Sequence, residues 1–377
     1  MSKNGPVRFP RCIQFGFRAF ETYASDTAWL LHKGLEAAGF TLYGQGFGDN
    51  ETDVQTVCER EKPDIVFLHS WDTWRPEAEG KRPTVELAGG DVGFSGYRWL
   101  GEQPGILRVT QYADPRPERS KEHREWQNDV FKPHVVLVRY DPANLRELNP
   151  WLRPDALLRI RHSLTAEYCP PVRPREGIAL MSGCTSSAFY PLRGRLHTEA
   201  AAHPDLFALR PHHKWARGTG PDVPAYMAHL AEHRVAVVTA SRWHWALKKH
   251  WEATAAGCIC VTNLALEDPL PWIDENMVRI ADDITIAELA ALVHDLADGW
   301  DIERQRHFAD LAVEHFDYRV EGCRIGAALR RRWRETIAEP PGLIVGDRLI
   351  TDPAELAAMR AAIDAILQHK DPSPCAP

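Results

Sequence analysis

Lys249-His250-Trp251-Glu252-Ala253-Thr254-Ala255-Ala256-Gly257, continued by Cys258-Ile259-Cys260-Val261-Thr262, reads as a short helix running straight into a strand. Gly257 stands between the two. After it the chain is apolar and alternating, so a strand puts Cys258 and Cys260 on one buried face. Lys249 stands three residues before Glu252, which places both on one helix face, and the small run 253–257 permits close helix packing. Two chemistries fit that pair equally. One is a surface ion pair; the other is a clamp in which Lys249 neutralises a diphosphate and Glu252 accepts both hydroxyls of a ribose.

Outward from this segment the alternation continues. Strands at 177–182, 235–240 and 258–262, with helices at 191–202, 225–233, 247–256, 286–299 and 302–314, predict an α/β domain of nucleotide-binding type in the second half. The first half repeats the pattern, with strands at 12–17, 40–43, 64–69, 105–111 and 134–139 and helices at 26–38 and 53–60. Between them Cys169-Pro170-Pro171-Val172-Arg173-Pro174-Arg175 is proline-rich and charged, as interdomain linkers are. The expected division is 1–168, 169–320 and a helical C-terminal extension, 321–377, that packs back on the first part.

Composition agrees with this plan. A chain of 377 residues, 44% hydrophobic and 26% charged, has the material for two soluble domains. No run approaches the roughly 18 apolar residues of a membrane helix. The N-terminus has no apolar stretch of signal-peptide type, so integral membrane association is not expected and a cytoplasmic location is. A net charge of −7 argues against a general nucleic-acid binder, and Arg330-Arg331-Arg332-Trp333-Arg334 reads as a solvated helix face. The eight cysteines include no Cys-x-x-Cys pair and read as reduced, mostly buried thiols.

Open parallel sheets bind ligands at the carboxyl ends of their strands. Met181-Ser182-Gly183-Cys184-Thr185-Ser186-Ser187 follows a strand there, and small residues such as Gly183 and Thr185 let backbone amides approach phosphate oxygens. Arg193, in the next helix, can add bidentate charge. The stretch 249–262 resembles the K-x-x-E-A-x-A-x-G-x-x-x-V signature of two-Rossmann-domain (GT-B) glycosyltransferases, with family four and the spore-maturation-type (CgeB-like) enzymes nearest. Ile160-Arg161-His162-Ser163-Leu164 is similar to that family's L-P-H-G-V-D, and Tyr190-Pro191-Leu192-Arg193 to its Y-P-L-R. Trp272 to Val278 with Asp282-Asp283 resembles G-x-N-x-V…D-D. The resemblance spans about 135–335 and implies an α/β fold of two Rossmann-like domains with a central interdomain cleft, acceptor on the first domain and nucleotide sugar on the second. It implies Glu252 on the ribose, and Lys249 and Arg193 on the diphosphate. It also places His244 where family four carries a donor-sugar acid, so sugar identity and stereochemical outcome stay open.

Transfer of a sugar from such a donor, UDP-linked more often than GDP-linked in this fold, needs positive charge on the leaving diphosphate and a group facing the acceptor hydroxyl. Basic residues and helix N-termini can supply the charge, so neither cofactor nor metal is expected. Candidate facing groups at first-domain strand ends are His69 and Asp72, which share one loop, with Asp26 and Asp114; each Asp equally suits a cap or turn. A glycan, a small molecule or a modified DNA base of phage type fits as acceptor. Trp243, Trp245 and Trp251 suit either sugar stacking or core and interdomain packing. Two other readings stand beside this one. His229-Leu230-Ala231-Glu232-His233 matches the H-x-x-E-H pattern of inverzincin zinc metallopeptidases, and a catalytically inactive nucleotide-sugar-binding protein keeps the same donor residues.

Overall fold

The computed structural model describes residues 9–15, 26–43, 54–68, 86–87, 90–91, 94–112, 129, 131–150, 152–211, 223–338, 343–345, 348–350, 354, 358–359 and 361. The first sheet comprises β1 (Cys12–Phe15), β2 (Thr41–Tyr43), β3 (Ile65–Leu68), β4 (Leu107–Tyr112), β5 (Val135–Val138) and β6 (Leu157–Arg159). All are parallel, in the order β2-β1-β3-β4-β5-β6. Helices α1 (Asp26–Ala37), α2 (Val54–Glu61), α3 (Phe94–Gly101) and α4 (Pro142–Leu148) belong to this half. Its strands are near-continuous apolar runs because both faces are covered. Cys12, Phe67, Val109 and Leu137 pack on one side, and Ile13, Val66 and Leu68 on the other.

The second sheet, β7 (Gly177–Gly183), β8 (Phe207–Pro211), β9 (His233–Val237), β10 (Ile259–Thr262) and β11 (Met277–Arg279), is also parallel, ordered β8-β7-β9-β10-β11. Its helices are α5 (Pro191–Ala200), α6 (Val223–Leu230), α7 (Lys248–Ala255), α8 (Ile286–Asp298) and α9 (Ile302–Phe316). The expected helix at 225–233 stops earlier, at Leu230, and His233 already belongs to β9. Local signals set other ends: Thr285 and Glu288 form a capping box on α8, and Asp301 caps α9. Cys258 and Cys260 share one core cluster, and Gly257 closes α7 at φ +80° against Val172 of the linker.

Two stretches of chain connect the halves side by side. Leu164 donates to the carbonyl of Phe316 (2.7 Å) and accepts from Tyr318 (2.9 Å), and the carboxylate of Asp317 takes the amide of Ala166 at 3.0 Å. Beyond that crossing α10 (Tyr318–Trp333) lies on α1 of the first half. The approach is close because Gly34 meets Gly322: a Cβ on Gly322 would fall 2.1 Å from the Gly34 carbonyl. Of the arginines at the end of α10, Arg331 and Arg334 are exposed as a solvated face requires, while Arg330 and Arg332 also reach the first half. Arg330 donates to the carbonyl of Ala38, and Arg332 to that of Asp155, since helix docking brings them over carbonyls of the first half. The fold is α/β, two Rossmann-like domains of GT-B type with a helical C-terminal region.

Candidate functional site

The first sheet has the order 2-1-3-4-5-6 and the second 2-1-3-4-5, so in each the topological switch point lies between the first and third strands. In the second domain that point is the gap between the carboxyl ends of β7 and β9. The loop after β9 leans on the first domain. Trp245 stacks on Tyr140 at 4.2 Å and 10°, its indole N–H donates to Asn144 at 2.9 Å, and Trp243 stacks on Trp245 at 4.7 Å. Tyr140 itself follows the carboxyl end of β5, so the strand ends of the two sheets face one another across the cleft. Trp243 and Trp245 therefore serve the domain contact. Trp251 is buried against Phe316 and His162.

Gly183 ends β7 at φ +121°, and a Cβ on it would lie 2.8 Å from Nη1 of Arg193 and 3.3 Å from Cε of Lys249. Glycine is what admits both cations beneath the loop. Arg193 is 1% exposed and held through all three nitrogens: Nε on the hydroxyl of Thr239 (3.1 Å), Nη1 on the carbonyl of Cys184 (3.3 Å) and Nη2 on the carbonyl of Thr239. It thus ties the end of β7 to the end of β9 and brings buried charge to the switch point. Thr185 is exposed on the same loop, and its carbonyl would lie 2.9 Å from a Cβ on Gly194.

On α7, Lys249 donates from Nζ to the hydroxyl of Tyr226 at 3.0 Å and sits 4.1 Å over its ring, while that hydroxyl bonds Ser182 at 3.0 Å. Burial, helped by Arg193, Arg210 and Lys248 and opposed by Glu252, holds Lys249 down at about 8. Glu252 is 3% exposed, and its ion-pair partner is Lys248, at 3.3 Å, rather than Lys249. The i,i+4 relation turns Lys248 over Glu252 and swings Lys249 toward β7. His250 braces the helix from below: Nδ1 lies 3.0 Å from the amide and 2.9 Å from the carbonyl of Leu247, and Nε2 2.9 Å from the hydroxyl of Thr262. Burial holds the ring down at about 4.

His244 lies on the loop after β9 with φ +57°. Its Nδ1 is 3.0 Å from the carbonyl of Asn263 and its Nε2 3.4 Å from Asp282, while Asn263 also takes the amide of Ala240 and donates to Asp282. A left-handed backbone on a non-glycine residue beside the crevice marks a position held by its surroundings. Gly183, Arg193, Lys249 and Glu252 are thus brought into one neighbourhood, with His244 on the adjoining loop. Sequence reasoning missed Lys248, Tyr226, Thr239, Arg210 and Asn263, and carried Asp282 only as part of a motif, with no role. Only Lys248 had a local signal, its i,i+4 spacing to Glu252. Arg210 pairs in register with Ser182 at the end of β8, a relation that sheet order alone creates.

Among the first-domain candidates, His69, Asp72 and Asp114 lie outside the described residues, and Asp26 opens α1. The inverzincin pattern lacks the single helix it requires, because His229 is on α6, Glu232 in the turn and His233 on β9. It also lies at the amino edge of the sheet, away from the crevice.

No family profile matches the chain and no curated protein does. Solved structures do. Sucrose-phosphate synthase from Thermosynechococcus elongatus superposes with a TM-score of 0.57 at 10% identity, over 86% of this chain and 100% of that one. A glycosyltransferase from Rickettsia africae gives 0.52 at 11%, over 86% and 99%. Anabaena HepE in complex with UDP gives 0.51 at 10%, over 85% and 100%. At such identities the likeness is one of fold, the GT-B architecture. Among the described residues no helix is long and apolar enough to cross a membrane.

Proposed function

We propose that this protein is a glycosyltransferase that moves a hexose-type sugar from a nucleoside diphosphate, UDP by preference, to a hydroxyl acceptor. The observation that carries the reading is the group of cations at the β7/β9 switch point. Among the described residues, Arg193, Lys249, Lys248 and Arg210 gather there against one carboxylate, Glu252, beside the N-terminus of α7. That excess of positive charge suits a diphosphate, whose negative charge grows as the glycosidic bond breaks. In this reading 169–320 binds the donor, 1–168 the acceptor, and 321–377 belongs with the first domain. Lys249 contacts the diphosphate, and Gly183 and Thr185 offer amides to it. Glu252 receives the ribose once Lys248 yields an oxygen, and His244 faces the sugar. His69, Asp72, Asp26 and Asp114 remain the acceptor-side candidates, and the cations take the leaving-group role without a metal. Presence of UDP in HepE and the family-four and CgeB-like motif support the donor class.

Isothermal titration and thermal melting with UDP, GDP and their sugars test the proposal, because a ligand of the folded state raises its melting temperature. UDP or a UDP-sugar is expected to do so, with sugar release or transfer on an acceptor panel of glycans, small molecules and hydroxymethylated DNA. If no nucleotide shifts the melt, the assignment fails; binding without turnover favours the inactive binding protein.

A further inference from the structure

The triad His229, Glu232 and His233 has no part in the nucleotide-sugar reading, yet its geometry is specific. One ligand atom from each residue lies within 4.8 Å of the other two. Nδ1 of His229 is 3.0 Å from the carboxylate of Glu232. That is close to the roughly 3.3 Å edge of a tetrahedron with zinc–nitrogen and zinc–oxygen bonds of about 2.0–2.1 Å. The ring of His233 is 7% exposed and anchored, its Nδ1 donating to the carbonyl of His229 at 3.0 Å, and the two imidazoles meet edge to face at 5.1 Å and 78°. Such an outer hydrogen bond orients a ligating histidine.

The backbone makes room for this arrangement. A Cβ on Gly177 would strike the carbonyl of Glu232 at 2.6 Å and Cδ2 of His233 at 2.8 Å. The carbonyl end of α6, where the triad sits, carries the negative pole of the helix. Among the described residues no other three histidine, cysteine or carboxylate side chains converge in this way.

We propose that His229, Glu232 and His233 form a binding site for one divalent cation of the Zn²⁺ class, completed by solvent, which ties the end of α6 to the first residue of β9. The role is structural. The triad lies at the amino edge of the sheet, whereas Thr239 and Lys249 lie at its carboxyl edge, six strand residues or about 20 Å away. Loading still reaches the crevice mechanically, because α6 carries Tyr226, on whose hydroxyl Lys249 rests.

The test uses the full chain, untagged and stripped of metal with a chelator, titrated with ZnCl₂ at about pH 7.5 and melted with and without it. A single high-affinity equivalent and a raised melting temperature are expected, with Co²⁺ substitution giving the strong visible absorption of a tetrahedral site. His229→Ala and Glu232→Gln, both on solvent-facing side chains, should each weaken that equivalent, the histidine variant by at least about 100-fold. Failure to saturate with Zn²⁺, or equal affinity in the wild type and both variants, overturns the site. The latter result would mean that others of the chain's 17 histidines bind the metal. Nucleotide binding is measured separately, and its failure leaves this result untouched.

Discussion

Replacing Lys249 by methionine removes one unit of charge from the switch-point crevice while keeping most of the side chain's length. A protonated amine about 4 Å from a phosphate charge, at an effective dielectric of about 20, contributes about 4 kcal/mol. That corresponds to about three decades in Kd, reduced by the desolvation the ammonium undergoes, so UDP should bind the variant roughly 10²–10³-fold more weakly. Folding should not suffer, because Glu252 keeps Lys248 as its partner at 3.3 Å. The pH dependence follows from burial, which brings Lys249 down to about 8 in the free protein. Bound diphosphate favours the protonated amine. Affinity is therefore full below about 8 and declines above it, until the raised pKa of the complex is passed. The free protein runs the other way: its buried charge is penalised below about 8 and the penalty is relieved as pH rises from there toward the ordinary lysine range, so stability climbs in that window. Lys249→Arg should keep affinity and flatten the pH profile, since guanidinium does not titrate there. Titration calorimetry with UDP between about pH 6.5 and 9.5 makes the measurement. A Kd within about threefold of wild type in Lys249→Met, or a wild-type affinity flat across that range, would refute the placement of Lys249 on the diphosphate.

Other perturbations read other parts of the fold. Glu252→Gln leaves Lys248 half-buried without its counter-charge and should cost about 3–5 kcal/mol in urea denaturation; adding Lys248→Met should restore much of it, the sign of a coupled pair. Gly322→Ala forces a methyl into the backbone of Gly34 and should destabilise by about 3 kcal/mol or more, seen as a lowered melting temperature. Trp245→Ala removes the stack on Tyr140 and the bond to Asn144 and should cost about 3 kcal/mol or more, with faster amide exchange at 140–148 and 243–247.

Much of the second half is legible from local pattern. Helical spacing before Gly257 and apolar alternation after it place α7 and β10 within a residue of their observed bounds, because buried periodicity is a local property. Less legible were the short strands β6, β8 and β11, which sheet pairing rather than alternation defines. The end of α6 was also misjudged. Helical pattern runs through to His233, but pairing of His233 with Gly177 draws the residue into the sheet.

For this protein the sequence alone determined the two-domain α/β plan and the helix–strand run 249–262, because each rests on periodicity within a few turns of chain. Which lysine meets Glu252 and which turns to Tyr226 was decided only by tertiary structure. A helix turns about 100° per residue, so Lys248 and Lys249 point to different neighbours, and only the position of β7 says which of those is the crevice. The same holds for Arg193: its charge is visible in the sequence, but its role in joining β7 to β9 exists only once parallel pairing sets those two strands side by side.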